Sequence, residues 1–313
     1  MKIIRYTDKY KSQWDDLVSN SRNGTFLHLR NYMDYHSDRF EDCSLMCADE
    51  KDRIIAVLPA NISGETLYSH QGLTYGGWIT DIKAVTATTM LQMWEQMVEF
   101  LRSEGVRTLI YKTIPYIYHS CPADEDIYAL FRYGGQLYST LISTAVSLQE
   151  NRLAFNENAT RGIKYALKHG VIIEHTNDYS QYWDLLSSLL FEKYKTKPVH
   201  SLAEILLLKK RFPENIKLYV ARKEDEIVAG AVIFFTKNVA HAQYIATSEK
   251  GRILKALPLL FDYVITNECN MCEYFDFGTS NEDSGRIINN GLIRQKTGMG
   301  GRGVAYNTFK IEL

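Results

Sequence analysis

The chain carries one pattern twice. Thr25-Phe26-Leu27-His28 opens an apolar-periodic stretch that closes at Arg39-Phe40, and Pro198-Val199-His200 opens another that closes at Arg211-Phe212, with twelve residues from His to Phe in both. The copies are offset by 172 residues. Further on, each half has a charged turn and then an apolar strand pattern, Asp52-Arg53-Ile54-Ile55-Ala56 in one and Asp225-Glu226-Ile227-Val228-Ala229 in the other. A second strand pattern follows, Leu67-Tyr68-Ser69-His70-Gln71 against Val239-Ala240-His241-Ala242-Gln243, and reads as the partner of a hairpin. Order and spacing persist across the two halves, so both are expected to fold alike.

The next element is a helix. Met90, Leu91, Trp94, Met97, Val98 and Leu101 recur at helical spacing, and Gly105 supplies a C-terminal cap. Its counterpart runs from about Arg252 to Asn267, where Pro258 should kink the helix or mark a late start, because it removes a backbone donor. Each helix leads into a strand, Thr108-Leu109-Ile110-Tyr111 and Tyr274-Phe275-Asp276-Phe277. A hairpin followed by a crossover helix and a further strand makes that strand parallel to its neighbour. The expected fold class is α/β with mixed sheets, one unit built twice. The Asn- and Glu-rich stretch from Glu150 to Asn158 breaks the pattern and divides the chain into domains 1–150 and 151–313.

Composition limits the function. The longest apolar stretch, Ile227 to Phe235, is far shorter than the roughly 20 residues of a membrane helix. The N-terminus MKIIRYTDKY has no apolar signal core, so the expected location is cytoplasmic. Five cysteines without framework spacing read as free thiols. A net charge of −1 speaks against a protein that coats DNA, but residues 1–150 carry net −5 and residues 151–313 net +4. An anionic ligand is therefore expected on the second half.

Familiar catalytic signatures are mostly absent. There is no Gly-x-Ser-x-Gly elbow and no His-Glu-x-x-His. Cys269-Asn270-Met271-Cys272 has no second pair to complete a zinc site, and no metal is expected. Gly298-Met299-Gly300-Gly301-Arg302-Gly303 matches a dinucleotide fingerprint literally, but Val304 to Leu313 alternates like a strand where that motif requires a helix.

Two cationic constellations remain. In Thr160 to Gly170, helical spacing puts Arg161, Lys164, Tyr165 and Lys168 on one face, where an arginine can pair bidentately with phosphate. A solvated basic face accounts for the same pattern. In Gly291 to Arg302, Arg294 and Lys296 lie among glycines that let backbone approach a ligand, and a lysine there can neutralise developing negative charge. A flexible hairpin with solubilising charges accounts for that pattern too. If Lys296 is exposed and catalytic, its replacement should lower turnover about 100- to 1000-fold and shift stability by only about 0.5 kcal/mol.

Taken in order, the repeated plan, the Arg161/Tyr165 helix closing in Lys168-His169-Gly170-Val171, Asp276-Phe277-Gly278, and Gly291-Leu292 leading to Gln295-Lys296-x-Gly298 resemble the Fem-type aminoacyltransferases, which belong among the FemAB-like N-acyltransferases. The resemblance implies two tandem GNAT-like (acyl-CoA N-acyltransferase) domains, with the last strand, 305–313, returning to the first. It implies N-acyl transfer to an amine. In the family, an aminoacyl group moves from aminoacyl-tRNA to a peptidoglycan precursor, whereas ordinary GNAT enzymes use coenzyme A. By position, Arg161 and Tyr165 match a pair on the precursor-binding helix, Lys296 matches a lysine of the family's Gly-Leu…Phe-Lys segment, and Tyr244 matches a strand tyrosine of the same site.

The coenzyme A pyrophosphate loop is only faintly echoed by Thr247 to Arg252, and Tyr179 to Phe212 offers only modest helices where some Fem enzymes insert long ones to grip tRNA. The donor is thus open between acyl-CoA as a cosubstrate and aminoacyl-tRNA, with no tightly bound cofactor expected. The acceptor is expected to be a small anionic amine: a cell-envelope glycan, a peptidoglycan precursor or a nucleotide-activated amino sugar. Candidate catalytic residues are Lys296, Tyr244 and His241; the base is open between His241 and a water, and a histidine within a strand also reads as a packing residue. Arg161, Lys164, Tyr165, Lys168 and Arg294 are the candidate substrate-binding residues. His28 and His200, at repeated positions, read as structural. A non-catalytic binding protein on a degenerate scaffold is the alternative.

Overall fold

The computed structural model describes residues 1–149 and 152–313. Glu150 and Asn151, on which the expected domain boundary falls, lie outside the described residues. The chain forms two compact units. One comprises Met1–Ile142, Asp283–Arg286 and Ala305–Leu313, the other Ser143–Glu282 and Ile287–Val304.

In the first unit, β1 (Lys2–Arg5), β2 (Leu45–Ala48) and β3 (Ile54–Leu58) pair antiparallel in turn. Pro59 then interrupts the strand, as a residue without an N–H must, and β4 (Asn61–Ser63) turns back through a hairpin into β5 (Thr66–Tyr68). The edge of β3 is taken by β6 (Ile79–Thr80). Next comes α1 (Ala87–Ser103), capped by the Thr86 side chain on the Thr89 N–H, and Gly105 past its end adopts φ +79°. Met90, Met93, Trp94, Met97 and Leu101 bury its inner face against Leu109, Tyr111 and Trp78. α1 delivers the chain to β7 (Thr108–Lys112), parallel to β5, and the end of the chain's last strand pairs antiparallel with β7 from Thr308 to Glu312. The Asp126 carboxyl in α2 (Glu125–Arg132) accepts from the Tyr111 hydroxyl at 2.8 Å. Lys112 is half-buried, donates to the carbonyls of His70 and Leu73, and is pushed down to about 8 by desolvation.

The second unit begins in the latter half of β8 (Gln136–Ser147) and continues through α3 (Glu157–Lys168), β9 (Val171–Thr176), α4 (Tyr179–Tyr194) and α5 (Leu202–Arg211). An antiparallel run of β10 (Ile216–Lys223), β11 (Glu226–Phe235) and β12 (Val239–Thr247) follows, with β9 on the outer edge of β10. After the short α6 (Glu249–Ile253), Lys255 turns through φ +57° and α7 (Ala256–Asn267) starts late, with Pro258 in its first turn where the missing N–H costs nothing. The crossover ends in β13 (Tyr274–Thr279), parallel to β12 and antiparallel to β8. Then come α8 (Asn290–Gly298) and β14 (Arg302–Glu312).

Alternation sorts the side chains of this sheet. Ala240 and Ala242, Phe275 and Phe277, and Val146 share one core with Leu260, Phe261 and Val264 of α7. α3 adds Ala159 and Ala166 to that core, and its Gly162 lies so close to α7 that a Cβ there would sit 3.3 Å from Lys255 Cβ. The intervening residues point to the other face, where Tyr182 of α4 fills the space above Gly230.

Three buried histidines of the first unit are held neutral. Burial lowers His28 and His36 to about 4 and His70 to about 3. A depressed histidine contributes stability that is present above its unfolded value near 6.5 and is lost as pH falls through the folded value. Asp126 acts in the opposite sense, because burial raises it to about 7 and its contribution grows as pH falls. Three groups outweigh one. Urea unfolding should therefore show stability falling from pH 6.5 to 4.5 by up to about 3 kcal/mol per pH unit, and Asp126→Asn should steepen the fall. A flat profile would contradict the assignment.

Candidate functional site

The residue around which the second unit's polar groups gather is Asp276, which has no solvent exposure. It lies on β13 between Phe275 and Phe277, so when those two face α7 it must face the opposite side of the sheet. There its carboxylate accepts from Ser143 Oγ at 2.5 Å, from the Gly278 N–H at 2.9 Å and from His241 Nδ1 at 3.0 Å. His241 is the direct register partner of Asp276 across the parallel β12–β13 pair, and Ser143 is on β8. An ionised carboxylate only accepts, so the His241 nitrogen facing it carries the hydrogen and Nε2 holds the lone pair. The imidazole remains 14% exposed, and a Cβ at Gly278, which adopts φ +77°, would fall 3.4 Å from its Cε1.

The two strands part just beyond this pair. β12 and β13 are in register only from Val239–Tyr274 to His241–Asp276, although β12 continues to Thr247. A bulge accompanies the parting: Ile233 faces Ala242 and Val232 faces Tyr244, leaving Gln243 as the extra residue. A bulge bends its strand and shifts the alternation by one. Tyr244 is thereby brought to the same face as His241. Its hydroxyl is taken up there by His200, from the backbone N–H at 3.1 Å and Nδ1 at 2.5 Å, and its ring meets Trp183 edge-on at 5.2 Å.

Lys296 is not in a glycine-rich turn. It lies in the last turn of α8, which Asn289 caps, and is only 6% exposed. Its ammonium donates to Gly278 O (2.7 Å), Thr279 O (2.9 Å) and Ser280 Oγ (2.8 Å). Three protons meet three protein acceptors. Burial pushes this lysine down to about 8, opposed by the charge of Asp276. The expectation of a surface lysine with a proton aimed at a ligand is therefore corrected: Lys296 ties down the segment that donates to Asp276. Arg294, two residues earlier, lies about 200° around the helix from Lys296 and is exposed.

Arg161, Lys164, Tyr165 and Lys168 form the exposed face of α3. Tyr165 stacks on His169 with ring centroids 3.9 Å apart, and none of the three cations has an ion-pair partner among the described residues. α3 packs on α7, in the layer across the sheet from His241 and Asp276. Its start is joined to the end of α8 by the Asn156 N–H on Gly298 O at 2.8 Å. The predicted site residues thus divide into the His241 group with Lys296 behind it, Tyr244 with His200, and the α3 face. Asp276 and Ser143 were missed as site residues. The available signal was an aspartate inside an otherwise aromatic strand.

Residues 155–284 match the family model described as the acetyltransferase (GNAT) domain. No curated protein matches the chain in sequence. The crystal structure of FemX aligns over all of this chain and 98% of its own, with a TM-score of 0.71 at 11% identity. The structure of L-PGS from Bacillus licheniformis aligns over 98% of this chain and 92% of that one, with a TM-score of 0.60 at 11% identity. A tandem GNAT protein from the clavulanic acid biosynthesis pathway aligns over 99% and 98%, with a TM-score of 0.52 at 11% identity. The chain accordingly shares the fold of these proteins, with two GNAT-like units in tandem.

Within the matched stretch, part of the donor set at the start of α6 is already engaged. Ser248 Oγ already accepts from the Gly251 N–H at 3.0 Å, Glu249 occupies the first turn, and Lys250 is paired with Glu226 at 2.6 Å. Gly251 is required by packing, since a Cβ there would lie 2.0 Å from Val228 O. No helix among the described residues is long and apolar enough to cross a membrane, and these residues hold no cluster fit for a metal ion.

Replacing Lys296 leaves two carbonyls and a hydroxyl without their donor. Lys296→Met should cost about 2–5 kcal/mol of stability, rather than the small shift of a surface lysine. Chemical denaturation measures the loss, and faster amide exchange in residues 278–280 locates it. An unchanged melting curve would rule out the clamp.

Proposed function

We propose that this chain is an N-acyltransferase whose second unit performs the reaction, moving an acyl or aminoacyl group to an amine of a cell-envelope glycan, a peptidoglycan precursor or a nucleotide-activated amino sugar. The observation that carries the reading is the Asp276–His241 pair at the point where β12 and β13 part. An amine is protonated at neutral pH and attacks a carbonyl only after losing its proton. His241 Nε2 accepts that proton and Asp276 stabilises the resulting imidazolium. The amine nitrogen then bonds to the carbonyl carbon, the tetrahedral intermediate collapses with loss of the nitrogen's second proton, and the donor's oxygen or sulfur leaves with the electron pair of the broken bond and takes up that proton. Lys296 and Ser143 position this pair rather than touch substrate. Tyr244, whose hydroxyl is bonded to His200, shapes the wall of the same sheet face.

The acceptor's phosphates or carboxylates belong on Arg161, Lys164 and Lys168, with Tyr165 among them, and a parting between strands lets a ligand reach from one face of a sheet to the other. The engagement of Ser248 with the Gly251 N–H and of Lys250 with Glu226 at the start of α6 favours an aminoacyl ester, as carried by aminoacyl-tRNA, over coenzyme A as donor. The match of residues 155–284 to an acetyltransferase domain supports the acyl-CoA alternative.

The test is product formation followed by mass spectrometry, with aminoacyl-tRNA or acetyl-coenzyme A as donor and a uridine-diphosphate amino sugar or peptidoglycan precursor as acceptor. His241→Ala should lower turnover by about 100- to 10,000-fold, the usual contribution of a general base. Asp276→Asn, which removes the partner that orients the imidazole, should also lower turnover while leaving KM nearly unchanged. Full turnover in the His241 variant would end the base assignment. Independently, Arg161→Ala should weaken calorimetric binding of the nucleotide amino sugar by about 1.5–3 kcal/mol, and unchanged affinity would remove the α3 face from the site.

A further inference from the structure

The segment from the end of α4 to the end of α5 carries a surface that the proposed reaction leaves unused. Phe191 is 60% exposed and Val199 74%, and Tyr194, Leu206 and Leu207 are also exposed. Interleaved with them are Lys193, Lys195, Lys197, Lys209 and Lys210, none of which has an ion-pair partner among the described residues. The Lys195 ammonium lies 5.1 Å from the Phe191 ring centroid and that of Lys193 lies 5.0 Å from Tyr194. From residue 191 to 211 there are six cations against two carboxylates, Glu192 and Glu204.

The inward face of this helical pair is already satisfied. Trp183 and Leu186 of α4 and Ile205 and Leu208 of α5 are buried, so Leu206, Leu207 and Phe191 are not core residues displaced by a loose helix. They are apolar groups presented outward among lysines.

We infer that this surface docks on an anionic lipid bilayer, with the lysines at the headgroups and the apolar side chains in the boundary beneath them. Three properties of the surface fit a bilayer. Its net charge is positive, six cations against two carboxylates, and opposite to that of acidic headgroups. Its exposed apolar groups include aliphatic side chains, which gain from acyl chains but have no ring to stack on a base. Its cations are mainly lysines, which long flexible stems can raise to the headgroup level, rather than the arginine forks that grip nucleic-acid phosphates. A second copy of the chain fits poorly, because a two-fold contact would set lysines against lysines. The chain would lie on the membrane, since none of the described helices can span it.

Flotation of the full chain with vesicles tests this. Phosphatidylcholine vesicles containing phosphatidylglycerol should bind it, pure phosphatidylcholine vesicles should not, and added salt should weaken the binding. L206S/L207S and K209E/K210E should each reduce vesicle binding about tenfold or more while melting like the parent. Equal binding to both vesicle types, or unaltered binding by either variant, would overturn the proposal. So would sedimentation showing a dimer that L206S/L207S dissolves, or binding to a mixed RNA that survives L206S/L207S and excludes vesicles. His241→Ala, which removes the proposed base, should bind vesicles like the parent, so this surface stands or falls separately from the catalytic reading.

Discussion

A carboxylate without solvent must be surrounded by donors, and those that Asp276 collects come from three places in the sequence. Ser143 arrives on β8, His241 on β12, and the Gly278 N–H from the turn that β13 itself makes. Burying the charge without them would cost several kcal/mol, so each donor is also a constraint on the register of the strand that brings it. Lys296 completes the arrangement from behind, its ammonium held by the backbone of residues 278 and 279 and the hydroxyl of Ser280. The result is an imidazole with one nitrogen committed and the other available.

The parting of β12 from β13 follows from the same local geometry. A register that matches His241 to Asp276 is interrupted within two residues by the bulge at Gln243, which turns β12 and changes which side chains it shows. Gly278 keeps the imidazole edge uncovered because its left-handed φ and lack of a Cβ suit that close approach. Strain-free bending and an uncovered ring are therefore two consequences of residues placed at one level of the sheet.

Each unit also uses a lysine to gather backbone carbonyls, half-buried Lys112 in the first and buried Lys296 in the second, and each is driven down to about 8 by desolvation. Each places a buried histidine at the entry to its early helical segment: His28 Nδ1 accepts the Thr25 N–H, and His200 binds Tyr244. These histidines recur at the 172-residue offset because the same turn is built twice, which is a structural reason for a repeat that carries no chemistry.

The sequence alone determined the hairpin, crossover helix and parallel strand of the second half and the helix and parallel strand of the first. It did not determine the first hairpin, where Leu67 pairs with Ile62 and the Ile54 strand pairs elsewhere because Pro59 breaks it. Local signals suffice where the physics is local: the spacing of Met90, Trp94, Met97 and Leu101 demands a buried helix face, Pro258 demands a helix start, and a crossover helix demands a parallel strand. It also marked His241, Lys296 and the α3 cations as residues of interest. Their roles were decided by tertiary structure. Lys296 reads in sequence as a cation among glycines, and only folding shows three acceptors closing around it at hydrogen-bonding distance. Tyr244 reads as a strand residue of one parity, and the bulge at Gln243 gives it the other. Asp276 and Ser143 are 133 residues apart, and no periodicity within either strand says that they meet. A hydrogen bond between distant strands depends on register, and register is a property of the assembled sheet.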